Sequence, residues 1–259
     1  MKFGIIELSI IPVRKEPSDR SEMSNQLLFG DLIIVEKEQG SWWFIRSISD
    51  NYEGWVDFKQ ILIIDKSEFD RLQQSKVELV TELIEVVTEI EGARPFPVLF
   101  GSTLRGNENG KFRIGAKSYY IEGDLATPTA KGFPESLFEN ALMFLNAPYL
   151  WGGKSVFGMD CSGFTQVLFR LCGADLLRDA NQQATMGELI SLFAEAKPGD
   201  LLFFDNSEGK IVHVGVLMED QKIIHASGRV RIDRVDHQGI YNEDLKKYSH
   251  QLRLIRRIL

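Results

Sequence analysis

Cysteine is scarce in this sequence: Cys161 and Cys172 are the only two among 259 residues. They lie eleven residues apart on a stretch with helical periodicity, which would separate them by roughly 16 Å at the rise of an α-helix. A disulfide bond cannot span that distance. We therefore expect two free thiols, which excludes a disulfide-stabilised fold and suits a reducing compartment.

Long apolar runs and clusters of basic residues are missing as well. No apolar run approaches the roughly 18 residues that a membrane-spanning helix needs. The formal net charge is −7, and no basic run offsets it, which argues against contacts with nucleic-acid phosphates. We expect neither a nucleic-acid partner nor a membrane partner.

The N-terminus has the apolar character of a secretory signal but lacks its other features. Glu7 and Pro12 interrupt the apolar stretch, and no small-residue cleavage site follows it. We expect no signal peptide, and hence a cytoplasmic protein. Export, and a leader removed before Met1, are left open as alternatives.

The composition that is present, 44% apolar and 26% charged residues, is that of a globular protein. Residues 1–64 contain short apolar segments between turn-rich stretches such as EPSDRS, EQGS and SDNYEG. Strands at this spacing predict a small β-barrel.

Two further segments follow this first one. Residues 65–128 begin with a charged stretch and continue with strand-like pieces between glycine and asparagine turns, which we interpret as a second, divergent barrel. An elaborated linker is the alternative. After the boundary TPTAKGFPES, residues 129–259 contain a helix expected from about Glu135, a second helix and then a run of strands. This order predicts an α+β domain.

Residues 148–171, PYLWGGKSVFGMDCSGFTQVLFRL, join a glycine-rich turn to a helical pattern. Apolar residues recur after Cys161 at Phe164, Val167, Leu168 and Leu171, which predicts a helix with one buried face. Cys161 then lies at the helix start, where unpaired backbone N–H groups and the helix dipole favour a thiolate. A buried structural cysteine is the alternative, and nothing local decides between the two.

Two histidines follow on consecutive predicted strands, His213 in HVGVLM and His225 in IIHASG. A three- or five-residue turn centred on Asp220 would pair His225 with Gly215. The two imidazoles would then be diagonal neighbours on one face, within reach of a hydrogen bond. A turn of even length would place them on opposite faces, and a core histidine is the alternative for His225.

Nucleophilic catalysis by a cysteine needs a thiolate, a base beside it and a group that orients the base. Cys161, His213 and His225 can take these three roles: His213 would accept the thiol proton and later protonate the leaving amine, and His225 would hold the tautomer of His213. The competing interpretation is a zinc site, but the paired spacing of zinc ligands is absent from the sequence.

The first segment resembles bacterial SH3-like domains, the small barrels attached to cell-wall enzymes. The motifs PVRKEPS, SEMSNQLLFGD, SWWFIRS and YEGWV occur in the order found there. The resemblance covers about 60 residues and implies a barrel.

The third segment resembles the NlpC family of papain-like cell-wall peptidases through PYLWGGKSVFGMDCSGF, KPGDLLFF, HVGVLM and IIHASG. The resemblance implies that Cys161 is the nucleophile, with His213 and His225 as base and orienting residue. It also implies that Tyr149 lies by the oxyanion and that Asp160 and Ser162 contact the substrate. Backbone N–H groups at the helix start would serve as the oxyanion donors. No cofactor and no metal are implied.

The order of two SH3-like domains and a peptidase resembles the group that includes dipeptidyl-peptidase VI, the γ-D-glutamyl-L-diamino acid endopeptidases. The resemblance implies that the first barrel supplies an acid for a free alanine ammonium, a role that falls on Glu22 with Tyr52 as its partner. Arg178 and Asp179 match a loop that lines the same pocket.

The resemblance implies a cysteine endopeptidase that cuts muropeptides with a free N-terminal L-alanine between γ-D-glutamate and diaminopimelate or lysine, in peptidoglycan peptide recycling. The predicted organisation is 1–64 and 65–128 as SH3-like domains and 129–259 as the peptidase. The alternatives are an exported hydrolase of the intact wall and a catalytically idle binding module.

Overall fold

The computed structural model describes residues 2–259, in which β-strands greatly outnumber helices. The chain forms two compact units, the first ending at Pro128 and the second running Thr129–Leu259. None of the helices in the described range is long and apolar enough to cross a membrane.

The first half of the first unit is one antiparallel sheet. Its strands are β1 (Lys2–Ile5), β2 (Ile10–Arg14), β3 (Met23–Leu28), β4 (Leu32–Gln39), β5 (Trp42–Ser47), β6 (Glu53–Asp57) and β7 (Leu62–Ile64). They are hydrogen-bonded in the order β3-β2-β6-β5-β4-β1-β7. Alternate residues, such as Ile11 and Val13 in β2, are buried, as a sheet with one face on a core requires.

The second half of the unit starts with a short helix and continues as two small sheets. Its elements are α1 (Lys66–Gln74), β8 (Val77–Val80), β9 (Ile84–Glu89), β10 (Arg94–Leu99), β11 (Thr103–Arg105), β12 (Lys111–Ile114), β13 (Lys117–Ile121) and β14 (Leu125–Ala126). The sheets have the orders β10-β9-β13-β12 and β11-β8-β14.

Residues from both halves share one apolar core. The ring of Phe29 contacts the rings of Phe96, Phe112 and Tyr119. Phe29, Phe112 and Tyr119 belong to a buried cluster that extends from Ile5 to Ile121, and the partly buried Phe96 packs against it. The two segments that the sequence suggested as separate barrels therefore pack as a single compact unit.

The second unit is built around a sheet that closes on itself. Its elements are α2 (Glu135–Met143), β15 (Lys154–Ser155), β16 (Gly158–Met159), α3 (Cys161–Leu171), α4 (Ala180–Gln183), β17 (Glu188–Ile190), β18 (Leu201–Asp205), β19 (Ile211–Met218), β20 (Lys222–Ser227), β21 (Arg229–Val235), β22 (Gly239–Asn242) and β23 (Lys247–Arg257). The order is β17-β23-β18-β19-β20-β21-β22, and β22 also pairs with β23. Six strands thus form a closed barrel, with β17 outside it.

Helix α3 packs against β19 and β20 of this barrel, and also contacts α2 and α4. Ten of its eleven residues are buried. The predicted single buried face was therefore wrong, because α3 is surrounded by other elements and is not a surface helix. The predicted start of α2 at Glu135 is confirmed.

Candidate active site

Cys161 is the first residue of α3, as its spacing from the apolar residues predicted. Asp160 caps the helix, because its carboxylate accepts the Gly163 N–H at 2.7 Å. A β-carbon on Gly163 would lie 2.3 Å from the carbonyl oxygen of Gly153, so the glycine-rich turn packs directly on the first turn of the helix. This contact holds the backbone around the cysteine in place.

A buried ion pair lies beneath the nucleophile. The two terminal nitrogens of Arg178 donate to Asp160, Nη1 to Oδ1 at 3.0 Å and Nη2 to Oδ2 at 2.7 Å. Nη1 also donates to Ser162 Oγ at 2.9 Å, and the Gly152 N–H donates to Asp160 at 2.8 Å. The side chains of Arg178 and Asp160 are 1% and 7% exposed. Contact of Asp160, Ser162 and Arg178 with substrate stays a prediction, while the observed contacts join them to one another.

The thiol of Cys161 is itself buried, at 6% exposure. Burial raises its pKa to about 12, and the Asp160 carboxylate acts in the same direction. Hydrogen bonds from the Val214 and Ser162 N–H groups and the charge of Arg178 oppose this rise. The expectation that the helix start favours a thiolate was therefore wrong, because desolvation outweighs the helix terminus. The resting side chain is a thiol.

The hairpin formed by β19 and β20 has the predicted odd-length turn. Met218 pairs with Lys222 and Gly215 pairs with His225, so Glu219–Gln221 make a three-residue connection. A β-carbon on Gly215 would lie 2.8 Å from the β-carbon of His225, so this position has room only for glycine. His213 and His225 therefore share a face, which confirms the predicted geometry.

The two imidazoles form a hydrogen bond, His213 Nε2 to His225 Nδ1 at 2.8 Å. Burial lowers the pKa of His213 well below its ordinary value, and the neighbouring His225 and His250 add to the effect. Burial also lowers the pKa of His225, against the opposing influence of Asp233. Both rings are therefore neutral at pH 7, and His213 is able to accept a proton.

Sequence reasoning missed three residues in the surroundings of this pair. Asp233 lies 3.0 Å from His225 Nε2, and Arg231 binds the same carboxylate. A hairpin centred on Gly228, which pairs His225 with Arg231, places both on the His225 face, so this spacing was a usable signal. The ring of His250 stacks on His213 with centroids 4.2 Å apart, and no local sequence pattern predicts this contact.

Tyr149 and Asp179 also belong to the second unit. Tyr149 is half-buried, and burial raises the pKa of its hydroxyl, with smaller electrostatic contributions from Cys161 and Asp160. The electrostatic interaction with Cys161 relates Tyr149 to the nucleophile, while its place beside the oxyanion stays a prediction. Asp179 is the N-cap of α4 and forms a capping box with Gln182.

Glu22 and Tyr52 belong to the first unit, where they lie near the same strand. Glu22 directly precedes β3, and its carboxylate forms a 2.9 Å ion pair with Lys15 while its side chain is 42% exposed. The Tyr52 hydroxyl donates a long hydrogen bond of 3.5 Å to the carbonyl of Ser24 in β3. Their predicted binding of a substrate ammonium stays a prediction.

Among residues 2–259, no group of three or more histidine, cysteine, aspartate and glutamate side chains has an arrangement suited to a metal ion. Cys161 and Cys172 are free thiols.

Comparison with known proteins gives matches along both units. A family model described as the NlpC/P60 family matches residues 146–249, and one described as a bacterial dipeptidyl-peptidase SH3 domain matches residues 13–61. The gamma-D-glutamyl-L-lysine dipeptidyl-peptidase of Bacillus subtilis (strain 168) is 32% identical over 219 residues, which cover 79% of this chain and 72% of that protein.

Two further proteins match over most of their length. Dipeptidyl-peptidase 6 of Lysinibacillus sphaericus is 25% identical over 253 residues, covering 89% of this chain and 91% of that protein. The crystal structure of an NlpC/P60 family protein from Bacillus cereus ATCC 10987 superposes with a TM-score of 0.82 at 21% identity and covers 99% of both chains.

Proposed function

Because the chain belongs to the NlpC/P60 family and is a cysteine peptidase, we propose that it cleaves the bond between γ-D-glutamate and a following diamino acid in cell-wall peptides. The predicted α+β class, a papain-like peptidase domain preceded by SH3-like barrels, is confirmed. The proposed organisation is the predicted one, with segments 1–64, 65–128 and 129–259.

The observation that carries the proposal is a buried thiol at the start of α3 that contacts the backbone N–H of Val214, the residue after His213, together with the hydrogen-bonded pair of His213 and His225. In the proposed reaction Cys161 Sγ attacks the scissile carbonyl carbon while His213 takes the thiol proton. The tetrahedral intermediate then collapses as His213 returns that proton to the leaving amine. Water attacks the thioester with His213 again as base, which releases the γ-D-glutamyl product and restores the thiol.

Neutral partners suit this sequence of proton transfers. A thiol with a raised pKa and an imidazole with a lowered pKa rest without separated charge, so the proton moves as the sulfur attacks. The backbone N–H groups at the start of α3, together with the Tyr149 hydroxyl, are the proposed donors to the oxyanion. His225 orients His213 through their 2.8 Å hydrogen bond.

The substrate class is supported by the names of the relatives, which describe γ-D-glutamyl-L-lysine dipeptidyl-peptidases and dipeptidyl-peptidase 6. We propose that Ser162, Asp179 and the Arg178–Asp160 pair shape the pocket for the γ-D-glutamyl group. The carboxylate of Glu22, with Tyr52 beside it, is the proposed partner of the alanine ammonium.

An acid that binds the amino end of a peptide selects for a free ammonium. A blocked amino end, or one still attached to a glycan, would leave the acid without its cationic partner. The proposed substrate is therefore a released muropeptide, and the proposed setting is cytoplasmic peptide recycling. The free thiols Cys161 and Cys172 suit a reducing compartment.

The test is a defined panel of L-Ala-γ-D-Glu-L-Lys, L-Ala-γ-D-Glu-diaminopimelate and their N-acetylated forms, with products identified by mass spectrometry. We expect the free peptides to yield L-Ala-γ-D-Glu, and the Cys161→Ala variant to yield no product. The matched control is Cys172→Ala, which removes the other buried thiol and should keep most of the activity. Unchanged turnover by Cys161→Ala contradicts the proposal.

The same panel tests the specificity. Acetylated peptides should be cut much more slowly than free ones, and Glu22→Gln should reduce that difference. Glu16→Gln changes an exposed carboxylate earlier in the same loop and serves as the control. Equal cleavage of free and acetylated peptides by the wild type argues against the free-amine requirement. Release of peptides from intact sacculi would support an exported wall hydrolase instead.

A further inference from the structure

Asp233 is a buried carboxylate with no role in the triad proposed above. It is 5% exposed, and its Oδ2 lies 3.0 Å from His225 Nε2. Arg231 Nε lies 2.7 Å from Oδ2, and Arg231 Nη2 donates to Oδ1 at 2.7 Å. Both oxygens of the carboxylate are therefore occupied, one by the guanidinium alone and one by the guanidinium and the imidazole together.

Asp233 is ionised in this setting. Burial raises its pKa, but the contacts with His225 and Arg231 outweigh burial and hold the pKa below its usual range. An ionised carboxylate only accepts hydrogen bonds. The proton in the contact between Asp233 and His225 must then reside on His225 Nε2.

This one proton determines the direction of every hydrogen bond towards the nucleophile. A neutral imidazole carries a single N–H, so a proton on His225 Nε2 leaves a lone pair on His225 Nδ1. The 2.8 Å contact with His213 Nε2 is then a hydrogen bond that His213 donates. His213 Nε2 holds the proton, and His213 Nδ1 is left as the free base.

We propose that Asp233, held by Arg231, is a positioning residue that sets the tautomers of His225 and His213 and so leaves His213 Nδ1 free to accept the Cys161 proton. Without the carboxylate, His225 can carry its proton on Nδ1 and donate it to His213 Nε2. The His213 proton then moves to Nδ1, and that nitrogen is no longer a base. This inference rests on the proposed roles of Cys161 and His213.

Arg231 holds the carboxylate in this role by contacting both of its oxygens. Its guanidinium also donates to Asp244 at 3.0 Å, and Asp244 is 68% exposed. Asp244 therefore provides a matched control, because Asp244→Asn removes a carboxylate from the same arginine without touching an imidazole.

The direct test measures the protonation of the imidazole nitrogens in the wild-type protein labelled with ¹⁵N-histidine. Long-range ¹H–¹⁵N spectra distinguish protonated from unprotonated ring nitrogens, and variants of single histidines assign the signals. We expect protons on Nε2 of both His213 and His225, and none on either Nδ1. The opposite pattern overturns the proposal, and this measurement requires no variant of Asp233 and no substrate.

The variant Asp233→Asn then tests the consequence. Its side chain has the same shape, but one of its two terminal atoms is an NH₂ group, which conflicts with Arg231 or with the His225 N–H. We expect kcat to fall between about 10- and 10⁴-fold, the upper value being the effect of a wrong tautomer in a serine peptidase triad, with KM nearly unchanged. Asp244→Asn should keep kcat within about twofold of the wild type, and Asp233→Glu should recover part of the loss.

Wild-type kcat in a folded Asp233→Asn variant overturns the proposal. If the wild type cleaves none of the peptides in the panel, the proposed substrate fails while the nitrogen pattern still decides this inference. The rate of Cys161 alkylation by iodoacetamide then replaces kcat, and it should fall in Asp233→Asn and not in Asp244→Asn.

Discussion

Replacing Arg178 by methionine should destabilise the second unit severely. The substitution keeps an unbranched stem but removes the guanidinium that binds both oxygens of Asp160. The Asp160 side chain is 7% exposed and would be left as a buried charge without its cation. Its remaining donors are the Gly152 and Gly163 N–H groups and Ser162 Oγ.

The expected magnitude follows from this burial. Breaking a buried pair by removing one partner costs about 3–5 kcal/mol. The second unit, Thr129–Leu259, has an unfolding entropy of roughly 0.27 kcal/mol/K at the average value per residue. The loss therefore corresponds to a fall in its melting temperature of roughly 11–18 °C.

Calorimetry and urea titration of the full-length protein measure the effect. The matched control is Arg234→Met in the same unit, which breaks the exposed 3.2 Å pair with Glu243 and should cost less than about 1 kcal/mol. In the double variant Arg178→Met with Asp160→Asn the neutral amide still caps α3, so the double loss should be smaller than the sum of the single losses. A single Arg178→Met loss no larger than that of Arg234→Met would refute this reasoning.

Two further predictions concern pH. Burial lowers the pKa of His213, so protonation inactivates this base only at a pH below the ordinary histidine pKa of about 6.5. The acid limb of the kcat/KM profile should therefore lie below pH 6.5. A midpoint above that value would contradict a neutral His213. The pKa of His250 is lowered to about 4 by burial, with the His225 charge adding to it, so the unfolded chain binds the extra proton and stability falls as pH drops from about 6.5 to about 4. His250→Phe keeps a ring stacked on His213 and should remove the part of this loss that His250 causes. That part is on the order of 2 kcal/mol once solvent screening of the partly exposed ring is considered. Urea titrations at pH 7 and pH 4.5 measure it, and an equal loss of stability in the wild type and the variant would contradict the prediction.

Features with a short-range pattern were predictable from the sequence. The apolar spacing after Cys161 placed the start of α3, and the turn at Asp220 determined which face His225 occupies. Both depend on residues that are close in the chain, where periodicity and turn length decide the geometry.

Features that depend on the environment of a side chain were not predictable in this way. The start of a helix suggested a thiolate at Cys161, but the barrel buries the sulfur and raises its pKa. The apolar spacing suggested one buried face for α3, but neighbouring elements cover nearly all of it. A sequence pattern indicates where a helix begins and ends, but it does not indicate how far packing excludes solvent from a side chain.

The sequence was sufficient for the family, the nucleophile segment and the two histidines, because these lie in motifs whose members are near one another in the chain. The tertiary structure alone brought Arg178 under Asp160 and stacked His250 on His213. It also placed Asp233 beside His225 and Arg231, and these contacts keep the carboxylate ionised. Electrostatic interactions strengthen when water is excluded, so the protonation of the site depends on the closed barrel and the packing around it.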